Sequence, residues 1–111
     1  MTEDKLQQEC FLWHNKEYPT KRGLLYHNFN NPRNAIQGAK LKSLGLVSGV
    51  ADLTLLHNQK AYFFELKTST GKQSPKQKKW EQTVKKDGFN YYIIRDIKRF
   101  KELILYIYNN Y

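Results

Sequence analysis

Residues 50 to 67 constrain the fold of this chain more than any other segment. Two strand-like runs, Val50-Ala51-Asp52-Leu53-Thr54-Leu55-Leu56 and Ala61-Tyr62-Phe63-Phe64-Glu65-Leu66-Lys67, flank the polar stretch His57-Asn58-Gln59-Lys60. A turn centred between Asn58 and Gln59, of either two or four residues, sets Leu55 opposite Tyr62 and Leu53 opposite Phe64. The same register sets Asp52 opposite Glu65. Directly paired strand residues project to one face with Cβ atoms about 5 Å apart, and like charges so placed repel. Alternation brings Lys67 to that face as well. Two facing carboxylates with an ammonium beside them ask for a cation, which makes Asp52 and Glu65 candidate metal ligands. The competing reading is a solvated polar side of a half-exposed hairpin. Thr54 would fit such a surface, but Phe63 shares the face and argues against it.

At 111 residues the chain is long enough for one domain, residues 1–111, with a single core and no disulfide staples. Its single cysteine excludes an intramolecular disulfide and a Cys-rich zinc cluster. No segment reads as a signal peptide, and no apolar run approaches the roughly 20 residues of a membrane span, so the expected location is intracellular and cytoplasmic. Nineteen Lys and Arg against ten Asp and Glu leave a net charge of +9. That excess favours a polyanionic partner, most often nucleic acid, although membrane surfaces and acidic proteins are polyanions too.

The rest of the chain alternates helix and strand. Thr2 to His14 reads as a helix with Glu3 and Asp4 at the positive end of its dipole and an apolar stripe of Leu6, Cys10 and Trp13. A short strand is expected around Leu24 to Asn28, and Pro32 opens a helix through about Leu44. Beyond the hairpin, Ser74-Pro75 starts a helix that Gly88 closes. Tyr91 to Ile94 forms a strand, and Asp96 caps a last helix with the stripe Ile97, Phe100, Ile104, Ile107 and Tyr111. The order α-β-α-β-β-α-β-α implies an α/β fold, a mixed sheet flanked by helices. The terminal stripe reads as core, with a dimer surface ending in Tyr106, Tyr108 and Tyr111 as the alternative. His14, His27 and His57 lack ligand-like spacing and read as surface or strand-end residues, and Cys10 as a small core side chain.

Three segments carry a family resemblance: Gly49-Val50-Ala51-Asp52-Leu53, Phe64-Glu65-Leu66-Lys67, and Gly71-Lys72-Gln73-Ser74-Pro75-Lys76-Gln77-Lys78-Lys79-Trp80. A helix bearing Glu9 precedes them, and Asn31-Pro32 through Gly38-Ala39-Lys40-Leu41-Lys42 and Gly45 adds to the pattern. In this order they resemble the VRR-NUC (virus-type replication-repair nuclease) group of the PD-(D/E)XK nuclease superfamily, in a free-standing form similar to those of bacteriophages. Ala51 departs from the proline usual there, a backbone-shaping residue and not a ligand. The resemblance implies a metal-dependent DNA endonuclease that hydrolyses phosphodiester bonds in structured or branched DNA. Small members act as homodimers on four-way junctions, and a two-fold axis would supply the two cuts a symmetric junction needs.

On that reading Asp52, Glu65 and the backbone carbonyl of Leu66 would hold Mg²⁺ or Mn²⁺, all being hard oxygen ligands. A cation there polarises the scissile phosphate and acidifies water for attack. Lys67 would orient that water or stabilise charge growing on the phosphate. Glu9 lies between Leu6 and Trp13 at helical spacing, where a carboxylate needs a partner. It would serve a second metal, directly or through water, or else sit at the edge of the stripe and reach solvent. Gln77 has two readings, which are compatible. It is the third residue of a capping box begun by Ser74, and it shares a face with Trp80 and Val84 that points inward to the site. Lys72, Lys76, Lys78, Lys79, Lys85 and Lys86 crowd one helix and its approach. Such like charges disfavour an isolated helix, so a phosphate backbone nearby explains them better than a solvated face. Arg33, Lys40, Lys42, Lys72, Lys76 and Lys79 are the expected DNA contacts, positioning the substrate without reading sequence. Without a cation, both carboxylates should have raised pKa values and the protein lower stability, with Mg²⁺ reversing both. The alternatives are a flap- or end-directed nuclease and a catalytically inactive basic DNA-binding module on the same fold. A protein-interaction module fits the lysine excess poorly.

Overall fold

Asn58 and Gln59 both adopt left-handed backbone conformations, φ 49° and 67°. His57 pairs with Lys60 across them, so the turn has two residues, and this left-handed pair matches the right-handed twist of the flanking strands. That turn fixes the register expected from sequence: Leu55 faces Tyr62 and Leu53 faces Phe64.

The computed structural model describes residues 1–30 and 32–111. The elements are α1 (Glu3–Glu17), β1 (Leu25–His27), α2 (Ala35–Ser43), β2 (Leu53–His57), β3 (Lys60–Leu66), α3 (Pro75–Lys86), β4 (Asn90–Ile94) and α4 (Ile97–Asn110), with a short 3-10 turn at Pro19–Lys21. Each α-helix begins where a side chain satisfies an otherwise orphaned amide. Thr2, Asn34, Ser74 and Asp96 accept from the amides of Lys5, Gln37, Gln77 and Arg99. The cap at Asn34 corrects one expected boundary, because α2 starts at Ala35 and not at Pro32. Arg33 therefore lies ahead of the helix, and Asn31 is outside the described residues.

The strands form a four-stranded mixed sheet in the order β1-β2-β3-β4. β1, β2 and β3 are antiparallel, while β3 and β4 run parallel and are joined through α3. One sheet face packs on α1 and α4, burying Leu53, Leu55, Tyr62, Phe64, Leu66 and Ile94 against Leu6, Cys10, Phe100, Ile104 and Ile107. The other face packs on α3, where Ala51, Phe63, Tyr91 and Ile93 meet Trp80 and Val84. Fully burying a Leu or Phe contributes about 1.5–3 kcal/mol, so the first face carries most of the apolar stabilisation.

Two expectations are revised on α1. The buried stripe is Leu6, Cys10 and His14, with Trp13 only partly buried at its edge. His14 is therefore no surface residue; it is fully buried and bonds Tyr108 Oη through Nε2 at 2.6 Å. His27 and His57 do lie at strand ends.

Candidate functional site

Asp52 directly precedes β2 and is held there from the β1 side. The Asn28 amide donates to the Asp52 carbonyl at 2.8 Å, while Asn28 Nδ2 and Asn30 Nδ2 each donate at 3.0 Å, to the carbonyls of Ala51 and Val50. Ala51 is fully buried against α3. With its backbone so fixed, Asp52 reaches across to β3, where its Oδ2 accepts from the Leu66 amide at 2.7 Å.

Glu65, only 1 % exposed, lies on the α3 side of β3. Its Oε2 accepts from Gln77 Nε2 at 2.8 Å and stands 3.8 Å from Lys67 Nζ, itself buried. Tyr91 Oη, on the parallel neighbour β4, is 3.5 Å from Glu65 Oε1, and Gln73 Nε2 donates to Tyr91 Oη at 3.2 Å and to Glu81 at 2.9 Å. Gln77 closes the expected capping box and also bonds Glu65. Its Oε1 accepts from the Ser74 amide at 2.8 Å to close the capping box, and its amide nitrogen is left to serve Glu65.

Both carboxyls titrate high, as expected, but burial outranks their mutual repulsion. Burial pushes Glu65 up to about 8, with the Asp52 charge adding to it and Lys67 opposing. Burial raises Asp52 too, against the Leu66 amide, the Glu65 carboxyl and Lys67, which favour its charged form. Without a cation the site therefore disfavours full ionisation of the two acids.

The two carboxylates open into a hollow of about 340 Å³ whose walls include Glu3, Asn30, Gly49, Lys76 and Gln77. Gly49 is required here. Its φ is +86°, and a Cβ would stand 2.4 Å from the Lys76 carbonyl, so the loop before Asp52 lies directly on the first turn of α3. A larger hollow of about 840 Å³ lies between α1 and the edge strand β1, away from the paired carboxylates.

The helix carboxylate at this hollow is Glu3, and Glu9 is not among the residues that line it. The Glu9 charge is felt instead at Cys10, whose thiol is pushed up to about 12, chiefly by burial. Glu3 contributes to the elevation of Glu65. Helical spacing sets Glu3 beside Leu6 and Cys10 just as it sets Glu9 beside Leu6 and Trp13, so it did not separate the two. Gln73 and Tyr91 were also missed as supporting residues, although Tyr91 faces Phe63 and so shares the Glu65 side of the sheet. Of the expected DNA contacts, Lys76 lines the hollow, while Arg33, Lys40, Lys42, Lys72 and Lys79 are exposed and do not line it. Lys85 is engaged with Glu81 at 2.6 Å.

The donor set suits a hard divalent cation. Among the described residues no three His, Cys, Asp or Glu side chains converge tightly enough to cage a metal. Two carboxylates are nonetheless what Mg²⁺ commonly uses, keeping waters and substrate phosphate for its other positions. Raised carboxyl pKa values are also what such a set shows when no cation neutralises it.

Comparison with known proteins agrees with this geometry. The VRR-NUC domain model matches residues 1–95. Two solved structures share the fold. One, titled "VRR_NUC domain protein", has a TM-score of 0.71 at 22 % identity, over 95 % of this chain and 86 % of its own. The other, titled "VRR_NUC domain", has a TM-score of 0.61 at 18 % identity over 100 % of both chains. No curated protein matches at significant similarity. Among the described residues no helix is long and apolar enough to cross a membrane. With the family model spanning most of its length and the acidic pair standing where the hairpin register requires, the chain belongs to the VRR-NUC family, nucleases of the PD-(D/E)XK type.

Proposed function

We propose that this protein is a Mg²⁺- or Mn²⁺-dependent DNA endonuclease acting on branched DNA, with four-way junctions cut by a homodimer. The observation that carries the reading is the buried Glu65 beside the half-buried Asp52, with Lys67 Nζ 3.8 Å from Glu65. Burying an acid and an ammonium beside a second, half-buried acid is costly, and a scaffold role would not require it. Asp52, Glu65 and the Leu66 carbonyl would hold the cation, which when bound supplies Lewis-acid polarisation of the phosphate. Gln77 and Tyr91 orient the Glu65 carboxylate. Lys67 places positive charge beside Glu65, where it stabilises negative charge developing on the phosphate. Glu3 takes the helix-carboxylate role first given to Glu9, because it lines the hollow and Glu9 does not. Arg33, Lys40, Lys42, Lys72, Lys76 and Lys79 would grip the phosphate backbone.

The test is cleavage of an end-labelled four-way junction beside matched duplex, flap and single strand, in Mg²⁺, Mn²⁺ or EDTA. Paired symmetric cuts in the junction, lost in EDTA and in Asp52→Asn, are expected. Preferential cutting of the flap or of ends would replace the junction reading. Tight binding with no cleavage of any substrate in either metal would make the protein a binding module.

A further inference from the structure

A second hollow, of about 320 Å³, lies on the same sheet face as the carboxylates. It is lined by Val50 and Thr54, the residues two before and two after Asp52, and by Phe63, two before Glu65. Its size falls at the lower end of the roughly 300–1,000 Å³ range of small-molecule sites. Three aromatic rings contribute to its walls. Phe63 and Trp80 form a fixed edge-to-face corner, with centroids 4.9 Å apart at 79°, and Phe29 stands on the rim. Phe29 and Val47 are left 48 % and 52 % exposed, an apolar rim. Asn28 and Thr54 add polar atoms and are bonded to each other at 2.7 Å.

The rim belongs to the excursion that carries α2 and leaves and rejoins the sheet at the carboxylate pocket, where Asn30 and Gly49 both line the wall. From Asn28 to Val50 the sequence holds Arg33, Lys40 and Lys42 and no Asp or Glu. A second copy docked by two-fold symmetry on this face would set cations against cations with no acid to pair them. A polyanion fits instead. Stacked bases inside a duplex cannot enter a side cavity, whereas an unpaired base has a free π-face for aromatic walls.

We propose that this hollow is a nucleobase site, holding one unpaired base of the DNA strand whose phosphate lies over Asp52 and Glu65. The proposal rests on the nuclease reading and supplies its preference for branched substrates. Stacked duplex offers the site nothing, whereas a flap offers an unpaired base and a junction offers one where a pair at its branch point opens.

The experiment measures binding in EDTA to three duplexes of one length. One is fully paired, one carries a single unpaired 2-aminopurine, and one carries an abasic residue at that position. Wild type should bind the unpaired-base duplex about tenfold more tightly than the abasic one, with 2-aminopurine emission quenched on binding. The double variant Phe29→Ala, Val47→Ser should lose both the preference and the quenching while melting as wild type does. Equal wild-type affinity for the base-bearing and abasic duplexes overturns the proposal without recourse to any variant. So does a DNA-free dimer that dissociates in the double variant, which would assign this face to a second copy. Cleavage assays in Mn²⁺ with Asp52→Asn run separately. Loss of the nuclease reading appears there, and loss of the base site appears in the binding series.

Discussion

Replacing Glu65 by Gln should stabilise the metal-free protein near neutral pH. The Glu65 carboxyl moves from 4.5 to about 8 on folding, chiefly through burial. Its folded value lies above the unfolded one, so the stability it contributes is complete below pH 4.5 and is lost as pH rises towards about 8. At pH 7 the loss amounts to about 3 kcal/mol at 1.36 kcal/mol per pH unit. Gln cannot ionise, still offers an oxygen to Gln77 Nε2, and leaves Asp52 as the acid beside Lys67. Allowing about 1 kcal/mol for imperfect hydrogen bonding, Glu65→Gln should gain about 2 kcal/mol, or on the order of 10 °C in melting temperature. The assay is thermal unfolding of wild type and variant in EDTA at pH 5 and pH 7.5, repeated with Mn²⁺. The two proteins should melt together at pH 5 and separate at pH 7.5, with Mn²⁺ raising only the wild type appreciably. Equal melting temperatures at both pH values in EDTA would refute the argument that burial of this acid strains the empty site.

Ser74 and Gln77 should separate cap from site. Ser74→Ala should cost about 1 kcal/mol of stability with cleavage kept near wild type, whereas Gln77→Ala should cost as much and also reduce cleavage at least tenfold, read by single-turnover kinetics. Gly49→Ala should lose roughly 2 kcal/mol or more in chemical denaturation, since it meets both a left-handed backbone and the Lys76 carbonyl. Conversely, Gln59→Gly should gain about 0.5–1 kcal/mol, because Gln59 holds φ 67° in the hairpin turn where glycine is unstrained, and an unchanged or lower melting temperature would count against that account.

The hairpin was legible because strand alternation has a period of two, so one register decides every facing pair, and Asp52 with Glu65 came out together. Helix caps were legible for a similarly local reason, with Ser74 and Asp96 placing α3 and α4. The start of α2 was not, because Pro32 and Asn34 are both acceptable openings and the sequence does not rank them. Glu9 and Glu3 illustrate the harder failure. Both flank an apolar stripe, and the choice depends on which end of α1 lies over the carboxylates, a tertiary fact that helical periodicity does not contain. His14 was misjudged because its partner, the half-buried Tyr108, lies on α4, distant in sequence.

The amide of Gln77 has one end in the scaffold and the other in the site, and this makes α3 a lever with its pivot at the carboxylates. Its oxygen pins the first turn of the helix to Ser74, and its nitrogen pins Glu65. Lys76 and Lys79 sit on that same short stretch. On the proposed reading, any pull that DNA phosphates exerted on those lysines would be delivered through this side chain to Glu65. Fraying of this one turn would release Glu65 from its Gln77 anchor as well, so that grip on a substrate and alignment of the acid would rise and fall as one mechanical event.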